Sequence, residues 1–198
     1  MPDIGDVDAE LVDRLRAGDE EAFTDLVRRY HPPLLRLAES TVGSRAVAEE
    51  AVQDTWLAVV RGVDRFEGRS SLKTWLFHIL LNRARSAGGK ETRSGGFHDE
   101  LVDDGRFDAG GAWIQAPEPW ADRAVERITA EHLAARVRDL LTELPDAQRQ
   151  VVLLRDVEGL SAAEVVMLLG ITDGHQRVLL HRGRARLRAL LEGEVGAA

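Results

Sequence analysis

Residues 161–191 read SAAEVVMLLGITDGHQRVLLHRGRARLRALL. Two stretches with helical spacing of apolar residues flank a turn that runs from Gly170 to Gly174. The second stretch contains five arginines and no acidic residue up to Leu191. A short helix, a tight turn and a basic second helix are typical of a helix-turn-helix whose second helix contacts nucleic acid. The alternative is an amphipathic surface helix with a solvated arginine face.

Local signals place the ends of these two helices. Ser161 and Glu164 have the spacing of a capping box, which predicts that the first helix begins there. Gly170 ends it, and the second helix is predicted to begin near Gly174, after a Thr-Asp pair that can supply the N-cap. Its leucines Leu180, Leu187 and Leu191 are expected to face the first helix. Six polar side chains are left for DNA, and arginine suits both guanine edges and phosphates: His175, Gln176, Arg177, His181, Arg182 and Arg184.

The charge of the 198-residue chain is segregated along its length. Its formal net charge is -8, and residues 1–60 contain 13 acidic and 6 basic side chains. Residues 61–90 reverse this balance with 2 acidic and 7 basic side chains, and residues 91–149 return to 13 and 7. A local basic patch attracts a polyanion more effectively than net charge does, so the acidic total does not exclude nucleic-acid binding.

Several function classes lack support in the sequence. The chain has no cysteine, which excludes disulfides and thiolate metal sites within it. Its six histidines are scattered without metal-ligand spacing, and no phosphate-binding glycine loop, nucleophile elbow or HExxH motif is present. We therefore expect no enzyme activity, metal site or cofactor. With no leader-like or membrane-spanning segment in the sequence, we expect a cytoplasmic protein.

Helical periodicity dominates the chain and predicts an all-α fold of two small helical domains joined by a flexible linker. The first domain is predicted at residues 8–87, with Gly18 ending one helix, Asp19 capping the next, and Pro32-Pro33 breaking that second helix. Residues 88–118 are rich in glycine and acidic side chains and are predicted to be the linker. The second domain is predicted at residues 119–192.

Residues 65–85 read RFEGRSSLKTWLFHILLNRAR and interleave aromatic and basic side chains around a short polar loop. This mixture suits single-stranded nucleic acid, because aromatic side chains and loop pockets hold unstacked bases while cations follow the backbone. The alternative assigns Trp75 and Phe77 to the core and lets Asn82 end a helix. For Trp75 taken alone, the core is the favoured interpretation.

Residues 49–60 read EEAVQDTWLAVV and form a third candidate surface. An acidic helix with an aromatic side chain is suited to docking on a basic protein surface. A solvated helix face is the alternative, and it is favoured when this segment is considered alone.

Taken in order, these segments resemble the extracytoplasmic-function (ECF) group of bacterial sigma-70 factors. Val178 and Leu179 depart from the family pattern, which has polar residues there, so the promoter sequence is not carried over. The matching segments are AGDEEAF at 17–23, residues 48–60, FEGRSSLKTWL at 66–76, NRAR at 82–85, LPDAQR at 144–149, LLRDVEGLS at 153–161 and HRGRARLR at 181–188.

The resemblance implies that residues 8–87 are sigma region 2. In that case the helix at 49–60 binds the β′ clamp helices of core RNA polymerase, through Glu50, Gln53, Asp54, Trp56 and Leu57. The following segment recognises and melts the minus-10 element, and Asn82 matches a residue that lines the pocket of a flipped base. The residues implied in this minus-10 recognition are Phe66, Arg69, Ser70, Ser71, Lys73, Trp75, Asn82 and Arg83.

The same resemblance implies that residues 119–192 are sigma region 4. This domain then reads the minus-35 element with the six polar side chains of its second helix and contacts the polymerase β flap. The chain would start transcription of a specific regulon, under the control of a cognate anti-sigma factor of a kind that is often membrane-bound and zinc-containing. A stand-alone helix-turn-helix regulator, which binds duplex DNA without polymerase, is the alternative function.

Overall fold

The structure is a computed structural model that describes the backbone of residues 4–88, 136–137 and 139–196. Side chains are described for residues 9–87, 136–137 and 139–193. Every regular element in these ranges is helical, in agreement with the all-α prediction. The predicted linker after residue 88 and the predicted start of the second domain at residue 119 lie outside the described residues. The elements are α1 (Ile4–Arg16), α2 (Glu20–Glu39), α3 (Arg45–Gly62), a 3-10 turn (Val63–Arg65), α4 (Leu72–Gly88), α5 (Asp146–Val152), a π-turn (Leu153–Val157), α6 (Ala162–Leu169) and α7 (Asp173–Gly196).

These elements form two compact units, which we call unit 1 and unit 2. Unit 1 contains α1 to α4 together with Leu153–Ile171, and therefore includes the π-turn and α6. Unit 2 contains α5 and α7. The sequence assigns Leu153–Ile171 to the second domain, whereas its contacts are with the helices of the first. The predicted domain bounds remain a prediction.

The connection between α1 and α2 follows its sequence signals closely. Gly18 adopts a left-handed φ of 75°, which costs glycine little, and so ends α1. Asp19 then caps α2, because its Oδ1 accepts hydrogen bonds from the backbone N–H groups of Glu21 (2.9 Å) and Ala22 (3.0 Å). The Ala22 N–H and the guanidinium of Arg14, 2.8 Å from Oδ2, lower the pKa of the Asp19 carboxyl.

The prediction that Pro32-Pro33 breaks the second helix is wrong. Helix α2 runs without interruption from Glu20 to Glu39 and contains both prolines. A proline inside a helix removes a backbone hydrogen bond and costs about 3 kcal/mol. Burial offsets this cost, because Tyr30, Leu34 and Leu37 continue one apolar face across the prolines, and the second proline is itself buried.

The core of unit 1 lies where α2, α3 and α4 meet. Helix α4 supplies its largest share, with six apolar side chains that are at most 1% exposed. They recur at helical spacing, so one side of α4 is committed to the core and the other is left to solvent. The six are Leu72, Leu76, Phe77, Leu80, Leu81 and Ala84.

Unit 2 depends on a close approach of α7 to α5. Gly183 of α7 is the contact point, because a Cβ atom built on it would lie 2.6 Å from Cγ2 of Val152 and 3.4 Å from the backbone oxygen of Gln148. Val152 is buried and β-branched, so its side chain has little freedom to move away. A glycine is therefore required where these two helices cross.

We expect Gly183→Ala to lower the free energy of unfolding by about 1–3 kcal/mol, the usual cost of overpacking a core. The matched control is Gly193→Ala in the same helix, where a Cβ atom would meet nothing within 4 Å. That change should raise stability by up to about 1 kcal/mol, since alanine is the better helix former. Urea denaturation of both variants measures the difference, and equal stability would show that the close approach is absent in solution.

Candidate nucleic-acid and protein interfaces

The exposed side of α4 presents the polar part of the basic-aromatic segment. His78 and Asn82 are exposed one turn apart, and their side-chain nitrogens lie 3.5 Å from each other. Arg83 is exposed beside them. Lys73 is nine residues before Asn82, so at ~100° per residue it lies on the opposite side of the helix. The predicted minus-10 residues therefore do not form one continuous surface.

The loop that precedes α4 buries one of its predicted DNA contacts. Phe66 is only 8% exposed and packs against Trp75, with ring centroids 5.1 Å apart. Its backbone oxygen accepts a hydrogen bond of 2.6 Å from Arg16. Phe66 thus anchors the loop, and its part in minus-10 recognition stays a prediction. Trp75 is half-buried, close to the core role favoured for it.

The remaining loop side chains are more accessible. Arg69 is exposed and forms an ion pair of 2.9 Å with Glu67. Ser70 and Ser71 are half-buried. Ser71 caps α4, because its Oγ accepts the backbone N–H of Thr74 at 3.1 Å. Gly68, with a φ of 68°, allows the loop to turn between these groups.

Lys73 is held by a residue that the sequence interpretation missed. Its Nζ lies 2.9 Å from Oε2 of Glu158 and also donates to the backbone oxygen of Glu158. The other carboxylate oxygen of Glu158 lies 3.3 Å from Nη2 of Arg36. These partners are 85 and 122 residues away from Glu158 in the sequence. No local pattern could have identified the contact.

The π-turn explains how Glu158 reaches these cations. The turn widens the backbone after α5, and the Glu158 N–H bonds to the Leu153 oxygen at 2.8 Å. Gly159 follows with a φ of 70°, which reverses the chain direction before α6. The carboxylate of Glu158 is thereby placed at a chain reversal, with its side chain only 12% exposed.

Glu164 makes a second contact with α4. The predicted capping box is confirmed, since Ser161 and Glu164 exchange backbone and side-chain hydrogen bonds. The hydroxyl of Thr74 also donates to Oε1 of Glu164 at 2.6 Å. Burial raises the pKa of the Glu164 carboxyl, but the hydrogen bonds from Thr74 and Ser161 and the charge of Lys73 outweigh burial and lower it. Glu164 is therefore an anion at neutral pH.

The candidate docking surface lies on α3. Glu50, Gln53, Asp54 and Leu57 are all exposed, at positions that share one helix face. Leu57 is 53% exposed, which makes it an apolar group within an acidic surface. Trp56 differs from the other predicted residues, because it is half-buried.

Contacts with α2 hold Trp56 in place. Its ring meets the Phe23 ring edge-on at 6.0 Å, and its Nε1 donates to Nδ1 of His31 at 3.3 Å. Trp56 therefore lies behind the exposed residues of the candidate docking surface, with part of its ring accessible.

Helix α7 divides its predicted DNA-binding residues between two sides. Arg177, His181 and Arg184 follow i, i+4, i+7 spacing and share one side, while His175 and Arg182 lie on another. Arg177 and Arg184 are exposed, and the other three are half-buried. Arg177 also forms an ion pair of 2.7 Å with Asp173.

Gln176 differs from the other residues of the predicted DNA-binding set in its burial. Its side chain is 1% exposed, so it cannot reach a base edge from this position. Leu179, at one of the positions that depart from the family pattern, is fully buried. The buried side of α7 thus includes Gln176, which the sequence predicts as a DNA contact, and Leu179, where the family pattern has a polar residue.

His181 is expected to be neutral at physiological pH. Burial lowers the pKa of its imidazole, and the charge of Arg184 lowers it further. On this side of α7 the arginines therefore supply the charge, and His181 can offer a neutral hydrogen bond.

Within the part of the chain that the structure describes, no group of three or more potential ligands is arranged to hold a metal ion. The helices described also include none with the length and apolar character needed to cross a bilayer.

Comparison with known proteins finds matches to the two parts of the chain that contain these candidate surfaces. Residues 26–94 match Sigma-70 region 2, and residues 134–187 match Sigma-70 region 4. The ECF RNA polymerase sigma factor SigM of Mycobacterium tuberculosis (strain H37Rv) is 33% identical over 93% of this chain and 84% of its own length. The ECF RNA polymerase sigma-E factor of Escherichia coli (strain K12) is 29% identical over 89% of this chain and 90% of its own.

Two solved structures are also similar. CnrH, in complex with the cytosolic domain of CnrY, aligns with a TM-score of 0.55 and 25% identity over 94% of this chain and 97% of its own. The sigma factor RpoE from Bartonella quintana, in complex with the anti-sigma factor NepR, has a TM-score of 0.55 and 28% identity over 86% and 96%. These matches favour a sigma factor over a stand-alone regulator. The chain belongs to the ECF sigma factors of the sigma-70 family.

Proposed function

We propose that this chain binds core RNA polymerase through the exposed face of α3 and directs the enzyme to promoters of a specific regulon. The observation that carries the proposal is the division of α4, which buries six apolar side chains while His78, Asn82 and Arg83 face outward. A helix with this division can hold a rigid position in the protein and still offer polar groups to an unstacked base.

Each DNA element is assigned to a separate surface. The minus-10 element contacts Arg69, Asn82 and Arg83, while Phe66 supports the loop from behind. The minus-35 duplex contacts α7, where the arginines provide phosphate and guanine contacts. Gln176 is left out of this surface because it is buried. The remaining members of the α7 surface are His175, Arg177, His181, Arg182 and Arg184.

The proposed partners follow from this role. Core polymerase contributes the β′ clamp helices to α3 and the β flap to the region 4 domain, and we expect the protein in the cytoplasm, where polymerase works. The solved relatives bound to CnrY and to NepR support a cognate anti-sigma factor for this chain as well. That this partner is membrane-bound or contains zinc is supported by the family resemblance alone. No catalytic role is assigned to the chain.

The direct test combines core polymerase binding with run-off transcription from a library of genomic promoters. Stable binding and new start sites are the expected result. Sequence-specific duplex binding without any polymerase association would contradict the proposal.

Asn82→Ala should reduce open-complex formation about tenfold while core polymerase affinity is unchanged. The reason is the loss of hydrogen bonds to one flipped base, and tenfold corresponds to ~1.4 kcal/mol. Permanganate footprinting of the minus-10 region measures melting. Ser86→Ala is the matched control, since Ser86 is exposed one turn further and bonds only to the Asn82 backbone oxygen. Equal losses in melting and in core binding would show that Asn82 is structural.

Asp54→Ala should weaken core polymerase binding about fivefold to tenfold, the usual range for a polar group near the centre of an interface. Fluorescence anisotropy of the labelled chain titrated with core polymerase gives the dissociation constant. Asp25→Ala removes the same charge from α2, where Asp25 forms only an exposed ion pair with Arg28, and should have little effect. Undiminished binding by the Asp54 variant would remove α3 from the docking surface.

Arg184→Ala should weaken binding of the reconstituted holoenzyme to a minus-35 duplex by about 1–3 kcal/mol if the arginine contacts a base edge. Arg28→Ala is the control, because it removes the same charge from α2, where Arg28 forms an exposed ion pair with Asp25. Gel-shift titrations at fixed salt measure both variants. Equal losses of affinity in the two variants would show that Arg184 contributes only non-specific charge to DNA binding.

A further inference from the structure

The last residue of α1 is hydrogen-bonded to the loop that precedes α4. Nη2 of Arg16 donates to the backbone oxygen of Phe66 at 2.6 Å, although the two residues are 50 positions apart in the sequence. Nη1 of the same side chain lies 3.3 Å from Oδ1 of Asp13, one turn earlier in α1. Because a guanidinium is planar, Asp13 binds one of its amino groups and thereby orients the other toward the loop.

The carbonyl of Phe66 takes its partner from outside its own segment. Phe66 follows the 3-10 turn with an extended backbone, at a φ of -70° and a ψ of 112°, so the turn ends there. The Phe66 N–H still bonds to the oxygen of Val63 at 3.1 Å. Arg16 therefore supplies a donor for the Phe66 oxygen at the point where the chain leaves the turn.

Helix α1 is a fixed support for this contact. Val12 and Leu15 are buried, and α1 packs against α2 and the 3-10 turn. Arg14 of α1 also bonds at 2.8 Å to Asp19, the residue that caps α2. These contacts limit the movement of α1, so the guanidinium of Arg16 reaches the loop from a helix of defined position.

The loop itself is held at both ends and exposed between them. At its start the ring of Phe66 packs on Trp75, and at its end Ser71 caps α4. Residues 67–69 between these anchors are exposed. The position of the first anchor therefore influences where the exposed side chains of the loop lie.

We propose that Arg16 is a positioning residue for minus-10 recognition, because its bond to Phe66 fixes the start of the loop and thereby the place of Arg69 against the promoter strand. This inference rests on the proposed function, which assigns the loop to the minus-10 element. It gives a role to α1, which precedes residues 26–94, the segment that matches Sigma-70 region 2. A loop that is ordered in advance loses less conformational freedom when DNA binds.

Hydrogen exchange of the Phe66 amide, followed by NMR in the full chain, measures the order at the start of the loop. Arg16→Ala should accelerate this exchange about fivefold, because a hydrogen bond from a charged donor no longer holds the residue. Arg16→Lys keeps one charged donor and should recover part of the protection. Equal exchange in the wild type and in Arg16→Ala would overturn the proposal.

Arg28→Ala is the matched control. Arg28 lies 3.1 Å from Asp25, three residues earlier in α2, so this substitution removes the same charge and the same kind of ion pair from another helix. Exchange of the Phe66 amide in this variant should equal that of the wild type. Acceleration as large as in Arg16→Ala would show that the loss of charge is the cause, and would overturn the assignment to Arg16.

The second measurement uses the holoenzyme at a promoter mapped by run-off transcription. Arg16→Ala should slow opening of the minus-10 region about fivefold in permanganate footprinting, with unchanged affinity for core polymerase, and Arg16→Lys should recover part of the rate. Faster exchange at Phe66 with a wild-type rate of opening would overturn the positioning role. Equal losses of opening and of core affinity would also overturn it, because they would show a general structural defect.

Failure of the proposed function would have a different result. A wild-type chain that does not bind core polymerase would contradict the proposed function. The exchange rate of the Phe66 amide in Arg16→Ala would still decide whether Arg16 orders the loop.

Discussion

Burial of one side of α4 controls what the rest of unit 1 can do. Six apolar side chains of this helix are removed from water, and at ~25 cal/mol per Å² their combined burial far exceeds the energy of any single surface contact. The helix therefore cannot rotate to bring other residues outward. Asn82 is held on the solvent side, and Lys73 is held on the side that faces Glu158.

The sequence predicted the local features of the fold because their causes are local. The turn at Gly18, the cap at Asp19 and the capping box at Ser161 each involve residues within a few positions of one another. The prolines in α2 were misread because the burial that keeps the helix continuous comes from α3 and α4. Propensity is a weak guide wherever tertiary packing opposes it.

The candidate surfaces were predictable only in part, for the same reason. Residue types identified the basic-aromatic segment and the arginines of α7, yet Phe66 and Gln176 proved to be buried. Whether a polar or aromatic side chain faces solvent depends on the neighbouring helix. Gly183 is the clearest case. It is required because a Cβ atom at this position would clash with Val152, and composition alone does not reveal that neighbour.

The contact between Glu158 and Lys73 shows most clearly why part of unit 1 was not predictable from the sequence. Because Glu158 is shared by Arg36 and Lys73, one carboxylate holds a cation from α2 and a cation from α4. Glu164 adds a hydrogen bond from Thr74 of the same helix. These two acidic residues thus do more than set the net charge of the chain, since both connect α4 to a segment that lies far from it in the sequence.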